Sequence, residues 1–210
     1  AGPSLGGSLN LGGNGNSPVD TYDGKLTADV GDQITVAGEN KDVHLTLTSS
    51  DGTTISDGVT WSVDDTKIGS VSGDGTFHAN GYVGGVATIS ATVGDGTISK
   101  QITVDVDITV NDGKISDADQ AALVAGGDAD ATYKFLYPYD GTVFPRGLAA
   151  PVLQLAGTAA TSTYTTIDLP HFKYQQFSAA LTRVQVKIPE PVWKGMTLTA
   201  GAADDVALTV

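Results

Sequence analysis

Tyr133, Phe135, Tyr137 and Tyr139 recur at every second position, which places four rings on one face of an extended segment. Buried, such a face is core. Exposed, it offers flat apolar platforms on which sugar rings stack, since a solvent-facing aromatic stripe is rare unless it binds something. Tyr137, Tyr139 and Trp193 are the candidate rings for a polysaccharide ligand. Groups for acid–base or nucleophilic chemistry do not assemble in the same way. His44, His78 and His171 fall in separate strand-like runs with no H-E-x-x-H or H-x-H spacing. Gly69-Ser70-Val71-Ser72-Gly73 has the frame of a nucleophile elbow but carries Val71 at its centre. Asp64–Asp65 and Asp204–Asp205 are adjacent pairs, which point to opposite faces of a strand and cannot flank one glycosidic bond. No catalytic residue is nominated, and the chain is expected not to be an enzyme.

The elements that would position these residues are short strands. A chain of 210 residues is natural for two small sandwiches of about a hundred residues each. Charge divides them: residues 1–130 hold five Lys against nineteen Asp and Glu, a balance of −14, and 131–210 hold six Lys and Arg against five acids, a balance of +1. The acidic part repels nucleic acid and anionic membranes, so no nucleic-acid partner is expected. There is no cysteine, hence no disulfide or zinc-thiolate site. No run of eighteen apolar residues occurs, and no membrane-spanning helix is expected.

Residues 1–18 are rich in Gly, Ser and Asn with three Leu, too little apolar area to offset about 1–2 kcal/mol of backbone entropy per residue, and they read as a flexible tether. From Lys25 the strands begin, with Lys25–Val30, Asp32–Val36 and Val43–Ser49. Val43, Leu45 and Leu47 form an aliphatic face, with His44, Thr46 and Thr48 outward. Farther on, V-T-W-S at 59–62, D-x-x-I-x-x-V at 65–71, G-D-G-T-F at 73–77, A-N-G at 79–81 and G-x-A-T-I-S-A at 85–91 resemble the bacterial group 2 immunoglobulin-like domain. The resemblance covers residues from about 25 to 106, within a domain bounded at 19–108. It implies a β-sandwich in a cell-surface or secreted bacterial protein, with adhesins, envelope proteins and some phage virion proteins among its bearers. Trp61, Val63, Ile68, Val71, Phe77, Val86, Ile89, Ile102 and Val104 are the expected core.

Residues 109–130 read as an acidic linker with one short helix, capped by Ser116 or Asp117. Seven Asp between 105 and 130 face a single Lys. Asp112-Gly113-Lys114-Ile115-Ser116-Asp117-Ala118-Asp119, followed by a helix-prone run, looks like the second half of an EF-hand or dockerin calcium loop. That resemblance puts Gly113 at the sixth loop position and Asp119 at the twelfth. Positions one and three would be Ile108 and Val110, which have no ligating side chain. The calcium set expected from it is Asp105, Asp107, Asp112, Asp117 and Asp119, with Asp105, Asp107 or the next domain supplying the missing ligands; the alternative is a solvated acidic linker.

After residue 130 the run P-Y-D-G-T-V-F-P-R-G-L-A-A-P-V-L-Q-L resembles the opening of fibronectin-type-III-like modules of secreted bacterial proteins, with Leu155 where Trp is commoner. Strands are expected at Thr163–Asp168, His171–Phe177, Leu181–Ile188 and Thr197–Ala200, with Pro189, Pro191 and Trp193 marking a corner. Val206–Val210 reads as an edge strand of a second sandwich, cut from a longer parent. The fold expected is all-β: two tandem immunoglobulin-like sandwiches joined by the acidic linker. The function expected is a non-catalytic structural or adhesive module outside a bacterial cell, meeting other protein subunits or a cell-surface ligand. A glycan-binding segment of a larger secreted enzyme and a phage virion protein are the alternatives. Ser8-Leu9-Asn10-Leu11 alternates polar and apolar residues as a donated strand does, and Val206–Val210 would be the acceptor edge of a head-to-tail filament.

Overall fold

The computed structural model describes residues 23–128, 131–180, 184–201 and 204–210. The proposed donor stretch, residues 8–11, lies outside them. The strands of the first part are β1 (Gly24–Ala28), β2 (Gln33–Val36), β3 (Lys41–Ser49), β4 (Thr54–Ile55), β5 (Val59–Val63), β6 (Gly69–Val71), β7 (Thr76–Ala79), β8 (Gly85–Val93) and β9 (Gly96–Val110). Helix α1 (Asp117–Ala125) follows, then β10 (Phe135–Tyr137), β11 (Val152–Leu155), β12 (Ser162–Leu169), β13 (Phe172–Ala179), β14 (Gln185–Lys187), α2 (Glu190–Thr199) and β15 (Ala207–Thr209).

Period-two sequence becomes period-two burial. Along β3, Val43, Leu45 and Leu47 are buried while His44 and Thr46 face water. They meet Ile34, Val36, Ala87, Ile89, Ile102 and Val104 in a core that runs on through Leu153, Ile167, Tyr174, Trp193 and Met196. β1, β3, β7 and β6 form one sheet, with β4 beside β3; β10, β11 and β14 form a small second one. The third sheet runs β15-β12-β13-β9-β8-β5, with β2 also on β9.

This third sheet replaces the expected pair of sandwiches on either side of a linker. β8 pairs antiparallel with β9 up to Gly85 opposite Val104, and β2 lies along the other edge of β9. Val106 is partnered by Val36 of β2 and by Phe172 of β13. β13 therefore takes up, in parallel, the edge that β8 leaves, from Phe172 opposite Val106 to Gln176 opposite Val110. Residues 109 and 110, assigned to the linker from sequence, are the last pairs of a 15-residue strand.

Other expectations change for local reasons. Val86 is 42% exposed, because the inward positions of β8 are Ala87, Ile89 and Ala91, and a neighbour in sequence must face the other way. Trp61, on the outermost strand β5, is only partly buried and packs over Gly75. The Thr197–Ala200 strand is instead part of α2. Pro189 caps that helix and Pro191 lies in its first turn, where a missing N–H and a fixed φ cost nothing, so the Pro-x-Pro corner is a helix start. Val192, Trp193 and Met196 form its buried stripe. Of the Leu181–Ile188 strand, Gln185–Lys187 is present, and 181–183 fall outside the described residues. The aromatic stripe is inward only at Tyr133 and Phe135, since the β10–β11 register shifts between Phe135 and Tyr137.

Candidate functional site

Three places gather the residues nominated from sequence. The first is the seam where β8 hands its edge of β9 to β13. His171 turns the chain from β12 into β13 at φ 63°, a left-handed conformation unusual outside glycine. Its carbonyl accepts from the Val106 amide at 3.0 Å, and its Nδ1 lies 2.8 Å from Asp105 Oδ1. Gln33 Nε2 donates to the other Asp105 oxygen at 2.5 Å, so one carboxylate ties β2, β9 and the β12–β13 turn together. Burial works to raise the Asp105 pKa, but the hydrogen bonds from Gln33 and His171 and the charge of His171 outweigh it and hold the carboxyl below its ordinary value of 3.8. A depressed carboxylate pKa adds stability above the unfolded-state value that is lost as the pH falls through the folded one. The melting midpoint of the wild type is therefore expected to drop as the pH is taken below 3.8. Asp105→Asn should flatten that slope; an identical slope would remove Asp105 from the acid response.

The seam is closed by two glycines. A Cβ on Gly84 would lie 2.0 Å from the His171 carbonyl oxygen, and one on Gly195 of α2 would lie 2.1 Å from the Tyr82 carbonyl oxygen. The Gly84 amide donates to Thr199 Oγ1 at 2.9 Å, which joins the end of α2 to the start of β8. Neither glycine was singled out from sequence, because a close approach between segments a hundred residues apart leaves no local mark.

The second place is the acidic run. Asp105 and Asp107 stand on the outer face of β9, Asp112 is in the turn after it, and Asp117 and Asp119 are in the first turn of α1. Among the described residues no three carboxylate or imidazole groups come together in a cluster that could hold a metal ion, so the five nominated calcium ligands are not one cage. Asp105 is engaged by Gln33 and His171, while the bonds of Asp119 are local: Ser116 donates to Asp119 Oδ2 at 2.7 Å, accepts from the Asp119 amide at 3.3 Å and caps α1 as expected. Asn111, unremarked in the sequence, closes the turn by accepting from the Ile115 amide at 2.8 Å and donating to the Ile115 carbonyl at 2.9 Å.

The third is an aromatic ladder from core to surface. Trp193 is only 5% exposed and donates Nε1–H to the Leu148 carbonyl at 3.1 Å. It is a core residue, not a stacking platform. Phe144 meets it edge-on at 5.1 Å between centroids, and Tyr137 meets Phe144 edge-on at 6.4 Å. Tyr137 is at the surface and Tyr139 is 72% exposed, which leaves these two of the three nominated rings open to a ligand.

Residues 27–104 match the family model of the bacterial Ig-like domain (group 2). The match ends at Val104, the last partner of β8, so the extension of β9 that carries β13 begins just beyond it. The fibronectin-type-III-like reading of 131–210 goes without such support. Three solved structures of the S-layer protein SbsC are similar. Domains 4 and 5 share 22% identity over 38% of this chain and 50% of that one, with a TM-score of 0.30. Domains 1–6 share 13% over 89% and 25%, with a TM-score of 0.30. The rSbsC(31-844) structure shares 14% over 81% and 27%, with a TM-score of 0.31. The chain thus spans half the length of the first and about a quarter of the others. No curated protein matches the chain.

Proposed function

We propose that this chain is a non-catalytic structural module of a bacterial cell-surface or secreted protein, in which an Ig-like domain and the segment after it act as one stiff unit. The observation that carries this reading is strand β9, shared by β8 and β2 of the Ig-like part and by β13 of the segment after it. Pulling the two parts apart means breaking parallel ladder bonds, the Asp105–His171 contact and the docking of α2 together, so the unit holds a fixed distance and orientation instead of bending at a hinge.

The two tryptophans test it, one in each part. Trp61→Phe leaves Trp193 as reporter, and Trp193→Phe leaves Trp61. Thermal and urea unfolding followed by fluorescence should give coincident transitions from both variants and from far-ultraviolet dichroism. Two separated transitions would leave independent domains and end the reading. Glycan binding is the second reading, favoured by the exposure of Tyr139 beside Tyr137.

A further inference from the structure

Among the described residues, five buried side-chain oxygens have no hydrogen-bond partner, and all five belong to the segment after the Ig-like part: Tyr133 Oη, Thr163 Oγ1, Thr165 Oγ1, Tyr174 Oη and Gln176 Oε1. Four of them come from one face of the β12–β13 hairpin. Thr165 stands directly opposite Gln176. Thr163 is two residues from Thr165 along β12, and Tyr174 is two residues from Gln176 along β13, so strand alternation puts all four on the side of Ile167 and Phe172, facing the core. None of the four side chains is more than 8% exposed. Burial, and after it the charge of Asp112, push the Tyr174 pKa above its ordinary value of 10.0. Asp112 lies in the turn past the Val110–Gln176 pair, so a phenol that feels its charge is turned toward that pair, and it stays a neutral hydroxyl there. We infer that this face encloses an internal water site, in which water bridges Thr163, Thr165, Tyr174 and Gln176.

The chemistry of the four groups selects water. Three are hydroxyls, each able to donate and to accept, and the fourth is an amide oxygen that accepts. The inward positions of β12 and β13 hold no charged side chain, so an ion among them would lie buried without a counter-charge, whereas a neutral molecule that both donates and accepts satisfies every group. Spacing agrees. Residues directly opposite across an antiparallel pair hold their Cβ atoms about 4.5–5.5 Å apart, and a water bonded at about 2.8 Å on each side spans such a gap. The Ig-like part solves the same problem without water: its buried Thr76 bonds His44 Nδ1 directly at 2.9 Å. Folded proteins rarely leave buried polar groups unbonded, and internal water held by several of them is the usual remedy where no side chain reaches. The inference concerns the interior of the segment after the Ig-like part, and it stands whether or not the stiff-unit reading does.

The experiment is oxygen-17 relaxation dispersion of water in a solution of the full chain, which detects water held for longer than the protein takes to tumble. The parent is expected to show a dispersion step. Thr165→Val keeps the shape of the side chain and deletes its oxygen, so it should shrink the step and lower the melting midpoint together, because the water loses a partner and the other oxygens lose the water. Tyr174→Phe should do the same. Thr46→Val, at an exposed outward position of β3, should leave both readings at their parent values. A parent with no step overturns the inference. So does a step that both inward substitutions leave unchanged, since the long-lived water then sits elsewhere. A higher melting midpoint for Thr165→Val also overturns it, because the hydroxyl was then unbonded in the folded protein. A lower midpoint for Thr165→Val with no step in the parent would show Thr165 and Gln176 bonding each other directly, and the water site falls on that result too.

Discussion

Gly84→Ala is expected to lower stability by about 3 kcal/mol or more and to split the unfolding of the molecule into two steps. The added methyl would sit 2.0 Å from the His171 carbonyl oxygen, far inside contact distance. Neither side can yield cheaply, because both are backbone. The His171 carbonyl is held by the Val106 amide, and Gly84 is held by its own amide's bond to Thr199 Oγ1. Relief requires the β12–β13 turn to lift away from β9, which removes the His171–Val106 bond and strains the Asp105–His171 contact. For a chain of this size the loss corresponds to a fall in melting midpoint of about 6–12 °C. The Trp193 and Trp61 signals, coincident in the parent, should then separate. Gly73→Ala is the matched control, since a Cβ there meets nothing within 4 Å. If Gly84→Ala melts with the parent, the close approach at the seam is not a feature of the folded protein.

Trp193→Ala should cost about 3–5 kcal/mol, the usual range for removing a large buried aromatic. The indole packs edge-on against Phe144, and its N–H donates to the Leu148 carbonyl, in a loop also held by Arg146 to the Ala200 carbonyl and by Glu190 to the Ala150 amide. Its removal leaves a cavity and takes one bond from that loop. The same substitution separates two roles for this residue. A stacking ring at the surface would lose ligand binding with little change in melting, whereas a core residue loses stability first. A Trp193→Ala protein that melts within about 1 °C of the parent would contradict its burial.

The Ig-like half was legible because its information is local. Alternation along Val43, Leu45 and Leu47, and Gly/Asp clusters between short apolar runs, each reveal strand and inward face within ten residues. The Ser116 cap of α1 was legible for the same reason, as its two partners are three residues apart. Where local signals were ambiguous the reading slipped. Pro189 and Pro191 suit a corner and a helix start equally well, and only the burial of Val192, Trp193 and Met196 decides for the helix. The acidic run has the residue types of a calcium loop, but ligation needs convergence in space, and among the described residues no three possible ligands come together.

By itself the sequence determined most strands and most inward positions of the Ig-like part, the uneven charge and the absence of thiol chemistry, since each of these follows from residue type or from period-two spacing. Only the tertiary structure decided which strand lies next to β9. A strand's side chains say which face is buried, but its edge is backbone, the same N–H and C=O groups in every residue, and so carries almost no mark of its partner. That is why β13, some seventy residues away, could take the edge that β8 leaves without notice in the sequence, and why two expected sandwiches are joined through one sheet.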